Sequence, residues 1–171
     1  MRKDPAMQKK TCLCFFLALL LLLSSGCGAV SAEAEALVCA MMAEERPLPA
    51  GRLYVLSAPQ DASGHPNASL LSALFGNGTY PSALDAVEDG AFYLSFSSPC
   101  EFAVFLCKST NGTEEVAAMC LARLAYLKRY WEDRGQAITS DRGTVTVKGR
   151  WVILCLSSDT DAALRAFRRA L

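Results

Sequence analysis

Two stretches of this chain set a pair of apolar strands directly before an amphipathic helix, and that succession limits the fold more than any other feature. In the first, Phe92, Leu94 and Phe96 alternate with Tyr93 and Ser95, SSPC turns the chain, and EFAVFLCK returns. A helix then runs from a cap at Thr113 to about Arg134, just before Gly135, with Glu114 and Glu115 at its positive end. Val116, Cys120, Leu124, Leu127 and Trp131 recur on it at steps of three and four, giving one apolar face. In the second stretch, Val145 and Val147 alternate with Thr144 and Thr146, Lys148-Gly149 turns, and RWVILCLS returns. Ser158 or Asp159 then caps a helix with Leu164, Phe167 and Leu171 on one side.

Upstream, AEALVCAMMAEE (34–45) has helical spacing, with Leu37, Val38, Met41 and Met42 on one side. Arg46-Pro-Leu-Pro-Ala-Gly51 breaks that helix, LYVLSA (53–58) reads as a strand, and SLLSALFG is a short helix stopped by Gly76. The order is helix, strand, helix, hairpin, helix, hairpin, helix. It predicts an α+β domain: a mostly antiparallel sheet of about five strands with helices packed on one face. The last two units are both hairpin-then-helix, and FLCKST and ILCLSS rhyme at the junctions, as two copies of one unit would.

The first 32 residues have a different character. Arg2, Lys3, Lys9 and Lys10 make a basic start, LCFFLALLLLL (13–23) is uncharged and apolar, and small residues follow. This is the layout of a secretory signal peptide, and the apolar run is short of the ~20 residues that span a bilayer. Two cuts compete. Ser24-Ser25-Gly26-Cys27 is a relaxed lipobox that would leave Cys27 lipidated, whereas Val30-Ser31-Ala32 is a small-x-small site that would release a free protein after Ala32. Residues 1–32 are therefore read as the signal peptide and 33–171 as a single domain of ~140 residues, enough for a proper core.

The chain has eight cysteines, but they do not form a disulfide framework. Cys12 and Cys14 fall in the leader and Cys27 at a cut, which leaves Cys39, Cys100, Cys107, Cys120 and Cys155, an odd set. An extended strand from Cys100 to Cys107 covers about 23 Å, against the ~6 Å between Cα atoms that a disulfide allows. Cys39, Cys107, Cys120 and Cys155 sit among apolar neighbours and read as small buried hydrophobes, with a bridge among Cys107, Cys120 and Cys155 as the alternative.

Several chemistries find no support. Formal charge balances, seventeen basic against seventeen acidic side chains, so nothing points to nucleic acid. The single histidine, His65, lies in the loop GHPNAS, and no metal-ligand spacing occurs, so neither a catalytic histidine nor a metal is expected. No phosphate-cradling glycine motif is present, so no nucleotide and no cofactor are expected. All three asparagines, Asn67, Asn77 and Asn111, open glycosylation sequons, although asparagine followed by Gly, Ser or Thr also suits turns. One residue breaks a local rule. Arg123 lies three positions after Cys120 and four before Leu127, near the middle of the apolar face. Either its stem lies on the core with the head in water, or it pairs with a carboxylate at the sheet edge, for which Glu101 is the candidate. Such a pair is structural unless a pocket opens beside it.

PCEFAVFLCKSTNGTEEVAAMCLARLAYLK followed by TVTVKGRWVILCLSSDTDAALRAF resembles a family of exported bacterial proteins, many of them lipoproteins of Gram-positive bacteria, catalogued as a domain of unknown function. The E-F-A-V-F strand with its following lysine, the helix with Met119, Cys120 and Arg123, and the V-K-G-R-W-V hairpin carry the likeness. RPLPAGRLYVLSA and SLLSALFG fit more loosely. The resemblance implies an envelope location and no known reaction, transfers no catalytic residue, and tilts the cut towards Cys27. The expected protein is a non-catalytic binding or accessory module, held by its lipid at the outer face of the membrane beside an unidentified envelope partner. The rivals are an envelope enzyme using a carboxylate or cysteine near Glu101, Arg123 and Cys100, and a freely secreted glycoprotein.

Overall fold

The computed structural model describes residues 33–171. Residues 1–32, which the sequence reads as a signal peptide with its candidate cuts at Cys27 and after Ala32, lie outside the described residues. Helix α1 (Ala34–Met42) leads to β1 (Gly51–Val55), α2 (Ala68–Phe75), the hairpin β2 (Val87–Ser95) and β3 (Glu101–Cys107), then α3 (Thr113–Glu132), the hairpin β4 (Gly143–Lys148) and β5 (Trp151–Leu156), and α4 (Thr160–Ala170). This is the α+β order read from the sequence. The five strands form one open sheet in the order β1-β2-β3-β5-β4, and every neighbouring pair is antiparallel. None of the described helices is long and apolar enough to cross a membrane.

The helices do not share one face of the sheet. Phe92, Leu94, Ala103, Phe105, Val152 and Leu154 point to one side, where they pack with Leu71 and Phe75 of α2 and Val116, Cys120 and Leu124 of α3. Alternate residues Ala91, Tyr93, Phe102, Val104, Ile153 and Cys155 point to the other, under Leu37, Val38 and Met41 of α1 and Ala163 and Phe167 of α4. The reason is in β3 and β5. EFAVFLC and WVILCL carry no polar residue on either alternate set after Glu101, so both their faces must leave water, and all 13 residues are buried. A two-layer arrangement would have left Phe102, Val104 and Ile153 wet.

That placement also disposes of a symmetric repeat. A two-fold exchanging the antiparallel neighbours β3 and β5 would keep α3 and α4 on the same face, and they lie on opposite faces. The rhyme at the junctions is local: each strand ends at a polar turn that starts a helix.

Local chemistry explains most boundaries. Asp89, at a bulge in β2, accepts from the Ala34 N–H at 2.9 Å and so holds the start of α1. Asn67 caps α2 by accepting from Leu70 N–H at 2.8 Å, and Asp159 caps α4 by accepting from Ala162 N–H at 2.8 Å. Thr113 does not cap α3; it is the first helical residue, and its hydroxyl donates backwards to the Thr110 carbonyl at 2.7 Å. Gly135, at φ 73°, lets the Gln136 N–H close on the Trp131 carbonyl at 2.8 Å and stops α3. Leu171 is 42% exposed rather than part of the α4 stripe, where Ala163, Ala166 and Phe167 do the packing.

The five described cysteines are free thiols. Cys100, Cys107, Cys120 and Cys155 are buried, but Cys39 is exposed: it falls between Val38 and Met41 on α1, about 100° round from the buried line, and faces out. Cys155 lies under the opposite face of the sheet from Cys107 and Cys120, which separates it from both.

Candidate functional site

Glu101 opens β3 on the face that α3 covers, and Arg123 stands in the middle of α3 directly over it. Arg123 Nε donates to Glu101 Oε1 at 2.9 Å and Nη2 donates to Oε2 at 2.7 Å, a planar two-pronged pair. The side chains are only 8% and 4% exposed, so the arginine does not lift its head to water. Both carboxylate oxygens are engaged. Nη1 of Arg123 has no hydrogen-bond partner among the described residues.

A cleft of about 380 Å³ opens beside the pair, bounded by α2, the end of the β2–β3 hairpin and α3. Its floor holds Glu101 and Arg123, and its walls include Leu74, Leu94, Phe96, Leu127 and Trp131. A second lobe of about 330 Å³ shares Ala73, Leu74, Arg123 and Tyr126 with the first and extends to Asn77 and Arg129. The two form one groove between α2 and α3, with Arg123 at the waist.

The α3 wall of this groove is a stacked column. The Arg123 guanidinium carbon stands 5.4 Å from the centroid of the Tyr126 ring. Tyr126 stacks on Tyr130 at 5.8 Å and 29°, and the Arg134 guanidinium carbon lies 3.5 Å from the Tyr130 centroid. Trp131 meets Tyr130 edge-on at 5.2 Å. Arg123, Tyr126 and Tyr130 follow at steps of three and four on one face of α3, and Arg134, in the turn beyond the helix, folds back over Tyr130 and donates to its carbonyl at 3.0 Å. Tyr126 itself remains 48% exposed.

Cys100 borders the cleft next to Glu101, but its side chain packs with Tyr93, Phe102 and Cys155 in the cluster on the opposite face of the sheet. Burial raises its thiol far above the usual value, and the negative charges of Glu45, Cys155 and Glu101 add to the rise, while Arg142 opposes it. It is a poor source of thiolate. Cys120, beneath the pair, is raised in the same way, by burial and then by Glu101 and Cys107.

The remaining sequence candidates lie elsewhere. His65 is half-buried in a separate cleft of about 370 Å³ that also contains Gln60, Tyr80 and Glu88, and its Nδ1 is buried with no partner among the described residues. The three asparagines are all exposed: Asn67 caps α2, Asn77 has a φ of 49° in the turn after α2, and Asn111 sits in a short turn before α3. Each position suits a turn or cap. Among the described residues no group of three or more His, Cys, Asp or Glu side chains is placed to hold a metal.

The tyrosine column and Arg129 were not singled out from the sequence, although the three-four spacing was readable there. A second polar centre was also missed. Glu45, just beyond α1 and nearly buried, accepts from Ser157 Oγ at 2.6 Å and from Ser158 N–H at 3.0 Å, where the chain enters α4. No family model, curated protein or solved structure matches this chain.

Proposed function

We propose that this is an exported protein of the cell envelope, held by a lipid on Cys27, and that its domain works as a non-catalytic binding module through the groove between α2 and α3. The observation that carries the binding half is the position of the Glu101–Arg123 pair. A pair serving register alone needs no access to solvent, whereas this one forms the floor of an open cleft with aromatic and aliphatic walls. The chemistry of the pair argues for binding over turnover. Glu101 has both oxygens tied to a guanidinium, and Cys100 resists ionisation, so neither is poised as base or nucleophile.

Export and anchoring rest on the leader, the Ser24-Ser25-Gly26-Cys27 box and the resemblance to exported lipoproteins. A freely secreted form, cut after Ala32, is the second reading, favoured by the small-x-small site Val30-Ser31-Ala32. Intact mass of the mature protein from membrane and medium separates the two. A diacylated species beginning at Cys27, found with the membrane and lost to the medium in Cys27→Ala, is the expected result. A soluble species beginning at Glu33 would overturn the anchor and leave the groove to be tested alone.

A further inference from the structure

We infer that the groove takes a small organic anion: an apolar body with one negatively charged head, such as a carboxylate. This rests on the reading of the groove as a binding site and goes beyond it by fixing the chemical class of the ligand. Size sets the scale, since each lobe falls within or close above the lower limit of ~300 Å³ seen for small-molecule pockets.

Charge sets the sign. Across both lobes the ionised lining residues are Glu101, Arg123 and Arg129. Glu101 is consumed by Arg123, and Arg129 has no ion-pair partner among the described residues, so the groove carries one unmatched positive charge. A cation would meet that charge with no free carboxylate to receive it. An anion would meet the unused Nη1 donors of Arg123, fixed in direction by the two bonds to Glu101, with Arg129 beyond them in the second lobe. The apolar body has its own place in the first lobe, against Leu74, Leu94, Leu127 and Phe96, the last 67% exposed.

The groove supplies its own reporter. The chain has two tryptophans; Trp131 lines the first lobe, and Trp151 packs with the cluster on the opposite face of the sheet. The test titrates the mature, exported protein with three probes of one shape, 4-phenylbutyrate, 4-phenylbutyramide and 4-phenylbutylammonium, and follows tryptophan emission, with Trp131→Phe as the control that assigns the signal. The expected result is a saturable change with the carboxylate, at least ten-fold weaker binding of the amide, and none of the ammonium. In Arg129→Gln, an exposed site outside the packed core, the preference for carboxylate over amide should shrink to about three-fold or less. Equal binding of amide and carboxylate, or an unchanged preference in Arg129→Gln, would overturn the anion inference while leaving the groove a binding site. No response to any of the three would overturn both.

Discussion

The Glu101–Arg123 pair yields a stability prediction that does not depend on any ligand. In Arg123→Met the helix keeps an apolar side chain of similar reach, but Glu101 loses the donors at 2.9 and 2.7 Å and remains a carboxylate only 4% exposed. Removing one partner of a buried pair costs about 3–5 kcal/mol, because the penalty is the stranded charge rather than the lost attraction. Domains of this size are stable by about 5–15 kcal/mol, so the variant should lose a large share of its stability while still folding. In Arg123→Met with Glu101→Leu both charges go together, and the cost should fall within ~1 kcal/mol of the parent. Urea unfolding followed by circular dichroism reads both: with a slope of ~2 kcal/mol/M, the single variant's midpoint drops by about 2 M and the double variant's by less than ~0.5 M. A single variant within ~1 kcal/mol of the parent would mean that water enters the cleft freely enough to solvate Glu101. A double variant as damaged as the single would mean that packing, not charge, is what Arg123 contributes, and either result would refute the reasoning.

Glu45→Ala should cost about 2 kcal/mol, since the Ser157 hydroxyl and Ser158 N–H lose a charged acceptor, and hydrogen exchange should quicken first in the opening turn of α4. Cys39, exposed but with its thiol raised by partial burial and by Glu35, should react with iodoacetamide at mildly alkaline pH while Cys100, Cys107, Cys120 and Cys155 stay unmodified until the domain is unfolded, which peptide mass spectrometry reads directly. Burial pushes the Cys155 thiol from 9.0 up to about 12, with nearby Glu45 and Asp159 adding to the rise and Thr160 opposing it, and Cys100 and Cys120 are raised in the same direction. The folded state thus holds these protons more tightly than the unfolded chain, so their contribution is complete below pH ~9 and is lost progressively as pH climbs towards 12. The urea midpoint should decline across that window, and Cys155→Val should make the decline shallower.

What the sequence revealed and what it hid divide along a physical line. Element types follow from local spacing, and the order of helices and strands needed nothing more. Arg123 was legible for the same reason: a charge at the centre of an apolar helical stripe requires a partner, and Glu101 is a charged residue at the edge of an otherwise apolar strand. The second helical layer was also written in the sequence, in the unbroken EFAVFLC and WVILCL, but it was hidden behind the alternation of β2 and β4, where polar residues do recur. A strand with two apolar faces demands two covers, and two amphipathic helices, α1 and α4, were available to provide them. Contacts made by the fold alone were beyond local reasoning. Glu45 meets Ser157 across 112 positions, and no pattern near either residue marks the other. The groove belongs to the same class: its stacked wall is a property of α3, but it becomes a cleft only because α2, hung between β1 and β2 on long loops, stops short of closing over Phe96 and Tyr126. Arg123 then has two consequences from one placement. Its Nε and Nη2 bind the sheet to the helix, and the same side chain lines the cleft beside α2.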